Sequence, residues 1–100
     1  MNKKQFYESI EKTYKNNVEI SRKKNTDYTG TDDPFKNFRG AEFVGVSIER
    51  GILVRIMDKI SRTSALLDNK AMVKDESIDD TLADLCNYSA ILKAYLESKR

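Results

Sequence analysis

Histidine and tryptophan are absent from this 100-residue chain, cysteine and proline occur once each, and glycine four times. Without imidazole there is no histidine acid–base chemistry, no histidine metal ligand and no side chain whose ordinary pKa lies near neutrality. Serine triads that rely on histidine are excluded with it. The lone Cys86 can form neither an internal disulfide nor a zinc site, which points to a reducing, cytoplasmic setting. A charge excess is lacking too: 18 Lys+Arg stand against 16 Asp+Glu, so the chain has no strong nucleic-acid footprint and any basic site is local. No run approaches the roughly 20 apolar residues that span a bilayer, and MNKKQFYESIEKTYK lacks the apolar core of a signal peptide. The expectation is one non-membrane domain over residues 1–100, with 39% apolar residues for a modest core and enough charged surface to make self-association useful.

Scarce breakers leave room for helices, and apolar spacing predicts an all-α bundle of three long helices and one short one. Phe6, Ile10, Tyr14 and Val18 recur every fourth residue, which predicts an amphipathic helix from residue 3 to about 24. KKNTDYTGTDDP follows as a loop. Asp33 reads as an N-cap and Pro34 as the first residue of a short helix to about 43 that buries Phe35 and Phe38. Gly45 allows a break, and Ser47 caps a helix over about 48–68 with Glu49 in its first turn. Its core stripe is expected to be Ile48, Ile52, Ile56, Ile60 and Leu67, with Thr63 between the last two. Asp75 would cap a final helix over about 76–98. There Ile78, Leu82, Leu85, Ser89, Leu92 and Leu96 form a coiled-coil-like seam, beside a second stripe of Thr81, Asp84, Tyr88, Ile91 and Tyr95.

Three constellations carry chemistry. Glu76, Asp80 and Asp84 follow one another at four-residue steps, so their oxygens share a helix side and could hold Mg²⁺, alone or with Asp58. The plain alternative is that acids favour a helix N-terminus and that Asp84, on an apolar stripe, pairs with Arg55, Lys59 or Arg62. Arg55, Lys59 and Arg62 surround Asp58 and supply donors for phosphate; the plain alternative is a salt-bridge lattice that solubilises the helix, the commoner reason for such charge runs. The third set is Lys24, Asp27, Tyr28, Asn37, Phe38 and Arg39, which combines an aromatic for stacking, an amide for base edges and cations for phosphate. Its plain alternative is a helix connector with Phe35 and Phe38 in the core. Cys86 reads as a buried, inert thiol.

Taken in order, Lys24-x-x-Asp27-Tyr28, Asp33-Pro34-Phe35-x-Asn37-Phe38-Arg39, Asp58-Lys59-x-x-Arg62 and Glu76-x-x-x-Asp80-x-x-x-Asp84-x-x-x-Tyr88 resemble the phage-associated nucleotide-modification domain family. That family is similar to the MazG-like all-α NTP pyrophosphatases, whose ExxE and ExxD motifs hold Mg²⁺ over a nucleoside triphosphate. The resemblance puts Asp58 at the second Glu of ExxE and Asp84 at the Asp of ExxD. Arg55 stands where the first Glu would be, and Thr81 where ExxD has Glu. With fewer acids and more cations, binding is better supported than hydrolysis.

The resemblance implies a phage or prophage protein, cytoplasmic in the host, that assembles as a homodimer or higher oligomer. It would bind a nucleotide or nucleotide-derived metabolite through Lys24, Asp27, Tyr28, Asn37, Phe38, Arg39, Arg55, Lys59, Arg62 and Tyr88. Asp58, Glu76, Asp80 and Asp84 would hold Mg²⁺ or orient the cations. An active enzyme would release pyrophosphate from an NTP or dNTP. A non-catalytic protein would sequester an immune signalling nucleotide or inhibit a host defence complex.

Overall fold

The structure is a computed structural model that describes residues 1–29, 32–68 and 77–100, the side chains of 26–29 excepted. Every regular element among the described residues is helical. The chain divides into two compact units, Met1–Pro34 and Phe35–Arg100.

The first unit is built on α1, Lys3–Thr29. Its start is a reciprocal cap: the Gln5 backbone N–H donates to Asn2 Oδ1 at 2.9 Å, and the Asn2 N–H donates to Gln5 Oε1 at 3.0 Å. Two first-turn donors that lack helical partners are thereby satisfied. The helix runs past the expected end near residue 24 and takes Asp27 and Tyr28 into its backbone. Asn, Thr and Asp each weaken a helix by only about 0.7 kcal/mol, and the first strong breaker is Gly30. Asn25 Nδ2 donates to the Pro34 carbonyl at 3.1 Å, which returns the connector to the helix. The expected apolar stripe is only partly covered: Phe6, Tyr14 and Val18 are exposed, Ile10 is half-buried, and among the described side chains of α1 the buried one is Asn17.

The second unit begins with a nine-residue 3₁₀ segment, Lys36–Val44, an unusual length for that geometry. It starts two residues after Pro34. Phe35 occupies the cap position without a side-chain cap, because Pro34 and Phe35 are spent on a turn; the expected Asp33–Pro34 start is corrected accordingly. Phe35 and Phe38 are half-buried. The segment ends at Gly45, whose φ of 77° is the left-handed conformation glycine tolerates best. The Gly45 N–H donates to Glu42 O at 3.1 Å and the Val46 N–H to Ala41 O at 3.0 Å, the pairing of a Schellman stop.

Ser47 then opens α2, Ile48–Asp68, its Oγ accepting from the Arg50 N–H at 3.3 Å. Ile48, Ile52, Ile56 and Leu66 are buried, whereas Ile60 and Leu67, expected in the stripe, are exposed. Uninterrupted four-residue steps drift around a helix of 3.6 residues per turn, so the inward line passes Lys59 and Thr63 to Leu66. The last helix, α3, is Ile78–Ser98, and its N-cap is Ser77, which accepts from the Asp80 N–H at 3.1 Å. Asp75, the expected cap, lies outside the described residues.

Helices α2 and α3 run antiparallel, since Glu49 reaches Lys99 while Lys59 reaches Asp84. Their core is Ile48, Ile52 and Ile56 against Phe38, Leu85, Tyr88, Ile91, Leu92 and Tyr95. The contact with α2 therefore draws on both stripes: Tyr88, Ile91 and Tyr95 of the second, beside the fully buried Thr81, and Leu85 and Leu92 of the leucine seam, whose Leu82, Ser89 and Leu96 are exposed. Cys86 follows that seam and is exposed, contrary to the expected buried thiol. Among the described residues no helix is long and apolar enough to cross a membrane.

Candidate functional site

A helix puts residues four apart on one face, so α2 offers Arg55 and Lys59 as neighbouring rungs and α3 offers Asp84 and Tyr88. The antiparallel register opposes Arg55 to Tyr88 and Lys59 to Asp84. The 3₁₀ segment completes the arrangement by laying Phe38 edge-on to Tyr88, with centroids 6.3 Å apart and planes at 87°. The Arg55 guanidinium lies 5.2 Å from the Phe38 centroid and 5.9 Å from that of Tyr88. A guanidinium so placed is attracted by both ring faces while its N–H donors remain at the surface, because Arg55 is exposed.

One turn along, Lys59 Nζ is 3.0 Å from Asp84 Oδ2, and the two side chains retain 18% and 19% exposure. Taking both charges so far out of water is unfavourable unless they meet. The carboxylate on the apolar stripe of α3 thus finds its cation in Lys59, one of the three partners that the sequence left open. Beside them, Thr63 Oγ1 donates to the Lys59 carbonyl at 2.7 Å and the buried Thr81 donates to the Ser77 carbonyl at 3.3 Å. Both hydroxyls are satisfied within their own helices.

The remaining predicted residues fall into three groups. Asn37 and Arg39 flank Phe38 on the 3₁₀ segment and are exposed, as are Asp58 and Arg62 on α2 and Asp80 in the first turn of α3. Lys24, exposed on α1, belongs with Asp27 and Tyr28 to the unit Met1–Pro34; those two are helical in backbone, not in a loop, and their side chains lie outside the described residues. Glu76 also lies outside them. Among the described residues no three acidic or cysteine side chains group closely enough to hold a metal ion. Asp58 has no ion-pair partner there, and Asp84 is engaged by Lys59.

Sequence reasoning passed over three contacts at the far end of the hairpin. Phe35 packs edge-on to Tyr95, centroids 5.2 Å apart, and Lys99 Nζ lies 5.4 Å above the same tyrosine and 2.9 Å from Glu49 Oε2. The hydrogen bond from Lys99 holds the Glu49 carboxyl below its usual range, and the same bond raises the Lys99 ammonium. The stripe of Asp84, Tyr88 and Tyr95, at steps of four and seven, carried a signal for these rings; Phe35 lies 60 residues from Tyr95 and Glu49 lies 50 from Lys99, and neither left one. No family model, no curated protein and no solved structure matches the chain.

Proposed function

We propose that the face formed by Phe38, Arg55, Lys59 and Tyr88 binds a nucleotide or nucleotide-derived metabolite. The observation that carries this reading is the seat of Arg55 over two aromatic rings, one helical turn from Lys59. A guanidinium plane stacks bases regardless of their identity, and the guanidinium and ammonium supply phosphate donors. Asn37 and Arg39, adjacent to Phe38, supply further donors at the rim. In line with the sequence resemblance, the protein would be phage- or prophage-encoded and act in the host cytoplasm, as an oligomer.

Binding without hydrolysis is the form we favour. Among the described residues no three acids group closely enough to hold Mg²⁺. Calorimetric titration with nucleoside mono-, di- and triphosphates and cyclic nucleotides, each with Mg²⁺ and with chelator, should give metal-independent binding that weakens at least tenfold, about 1.4 kcal/mol, in Arg55→Ala. Release of pyrophosphate only with Mg²⁺ would replace sequestration by the pyrophosphohydrolase reading. No binding across the panel would remove the nucleotide reading altogether.

A second reading rests on Phe43 and Val44, which are 92% and 77% exposed at the end of the 3₁₀ segment. Adjacent exposed apolar side chains suit docking to a protein, such as a component of a host defence complex. That reading predicts inhibition of the complex that is lost in Phe43→Ser while Arg55→Ala leaves it intact.

A further inference from the structure

Helix α2 has a second apolar line that is exposed. Leu53, Met57, Ile60 and Leu67 are 45%, 55%, 46% and 63% exposed, and with the small, exposed Ser64 they follow one another at steps of four, three, four and three. A mean step of 3.5 is the spacing of a coiled-coil seam, and it keeps these residues on one line. That line lies roughly 100° around the helix from Ile48, Ile52 and Ile56, which α3 already occupies.

We infer that this line pairs α2 with α2 of a second copy of this chain, antiparallel about a twofold axis through Ile60. In that direction and register the sequence of the line is self-complementary. Ile60 meets itself at the axis, Leu53 faces Leu67 of the partner subunit, and the long Met57 faces the small Ser64 of the partner subunit, each contact occurring twice. Charge agrees with shape. Arg50 and Asp68 sit at opposite ends of α2 but at the same angle beside the line, both exposed and with no ion-pair partner among the described residues. A twofold axis perpendicular to the helices keeps each on the same edge of the interface and brings Arg50 within about 3 Å, along the axis, of Asp68 of the partner subunit. The line extends about 21 Å, which buries less than a standard interface of ~1,600 Å², so the dimer is weak and concentration-dependent. This pairing is independent of the nucleotide reading.

Sedimentation of the full chain at concentrations rising to roughly 0.5 mM, at the weak end of the range in which protein dimers are measured, should approach twice the 11.5 kDa protomer mass. Ile60→Asp should restore the protomer mass at all concentrations with helical circular dichroism unchanged, because Ile60 is outside the intramolecular core. Direction is read by cross-linking in a Cys86→Ser background. Ile60→Cys should link to itself, whereas Leu53→Cys should link to an added Leu67→Cys chain and not to its own copies. A wild-type monomer throughout, a dimer that survives Ile60→Asp, or self-linking Leu53→Cys overturns the inference.

Discussion

A methyl group added at Gly51 would lie 2.9 Å from the Ala41 Cβ, where α2 passes under the 3₁₀ segment. Alanine ordinarily stabilises a helix interior relative to glycine by about 1 kcal/mol. Here the obstructing atom is a Cβ fixed to backbone, so the segment carrying Phe38 has to move, and overpacking of this kind costs about 1–3 kcal/mol. Gly51→Ala should therefore lower the thermal midpoint, while Gly40→Ala, with nothing within 4 Å, should not. A raised midpoint in Gly51→Ala would show that the two elements do not touch there. Lys59 and Asp84 make the second prediction at this scale. Asp84→Ala strands a largely buried ammonium and should cost about 1–3 kcal/mol, less than a fully enclosed pair because one fifth of each side chain still meets water. The double replacement Lys59→Met, Asp84→Leu should recover most of that loss in chemical denaturation yet still lack phosphate affinity. Equal losses in single and double variants would deny the coupling. Which cation Asp84 takes was not readable beforehand, since Arg55, Lys59 and Arg62 all lay within a turn of the right height; the choice depends on the α2–α3 register, a property of tertiary packing.

Helix boundaries were most legible where a cap or stop has a distinct chemical signature. Ser47 before α2 and Gly45 after the 3₁₀ segment are of that kind. The end of α1 was less so, because Asn25 to Asp27 are compatible with both turn and helix and only the unforbidden backbone decided. The two stripes of α3 were both visible in the spacing, but spacing alone does not say which members of each meet the partner helix. Tyr88, Tyr95 and the Asp84 carboxylate join Leu85 and Leu92 there because the 3₁₀ segment caps that side with Phe35 and Phe38 and α2 supplies Lys59. At this scale the Glu49–Lys99 bond ties the start of α2 to the end of α3. Glu49, with its pKa lowered below the ordinary 4.5, contributes stability that is full above the unfolded value and disappears as pH falls through the lowered one. Lys99, raised above 10.5, contributes stability that is full below 10.5 and disappears as pH rises through the raised value. Amide protection in the last turn of α3, referred to the intrinsic exchange rate at each pH, should accordingly be highest between those limits and fall on both sides; Glu49→Gln should flatten the acid limb. An acid limb unchanged in that variant would break the assignment.

The whole molecule presents an all-α chain whose hairpin, α2 with α3, carries both a tight core and a polar face made from three separate stretches of sequence. Phe38, Arg55 and Tyr88 are drawn from the 3₁₀ segment, α2 and α3, and the candidate site was legible to the extent that each residue type announced its own chemistry. Their convergence was not, for it requires Gly51 to admit the 3₁₀ segment and the antiparallel register to oppose Arg55 to Tyr88. Amide and side-chain chemical shifts of the isotope-labelled full chain, followed during titration with a nucleoside triphosphate in chelator, bear most directly on what this face does. Saturable changes should concentrate at Phe38, Arg55, Lys59, Asp84 and Tyr88 and vanish in Arg55→Ala. Changes confined to other surfaces, or none at all, would contradict the binding of a phosphorylated nucleotide at this face.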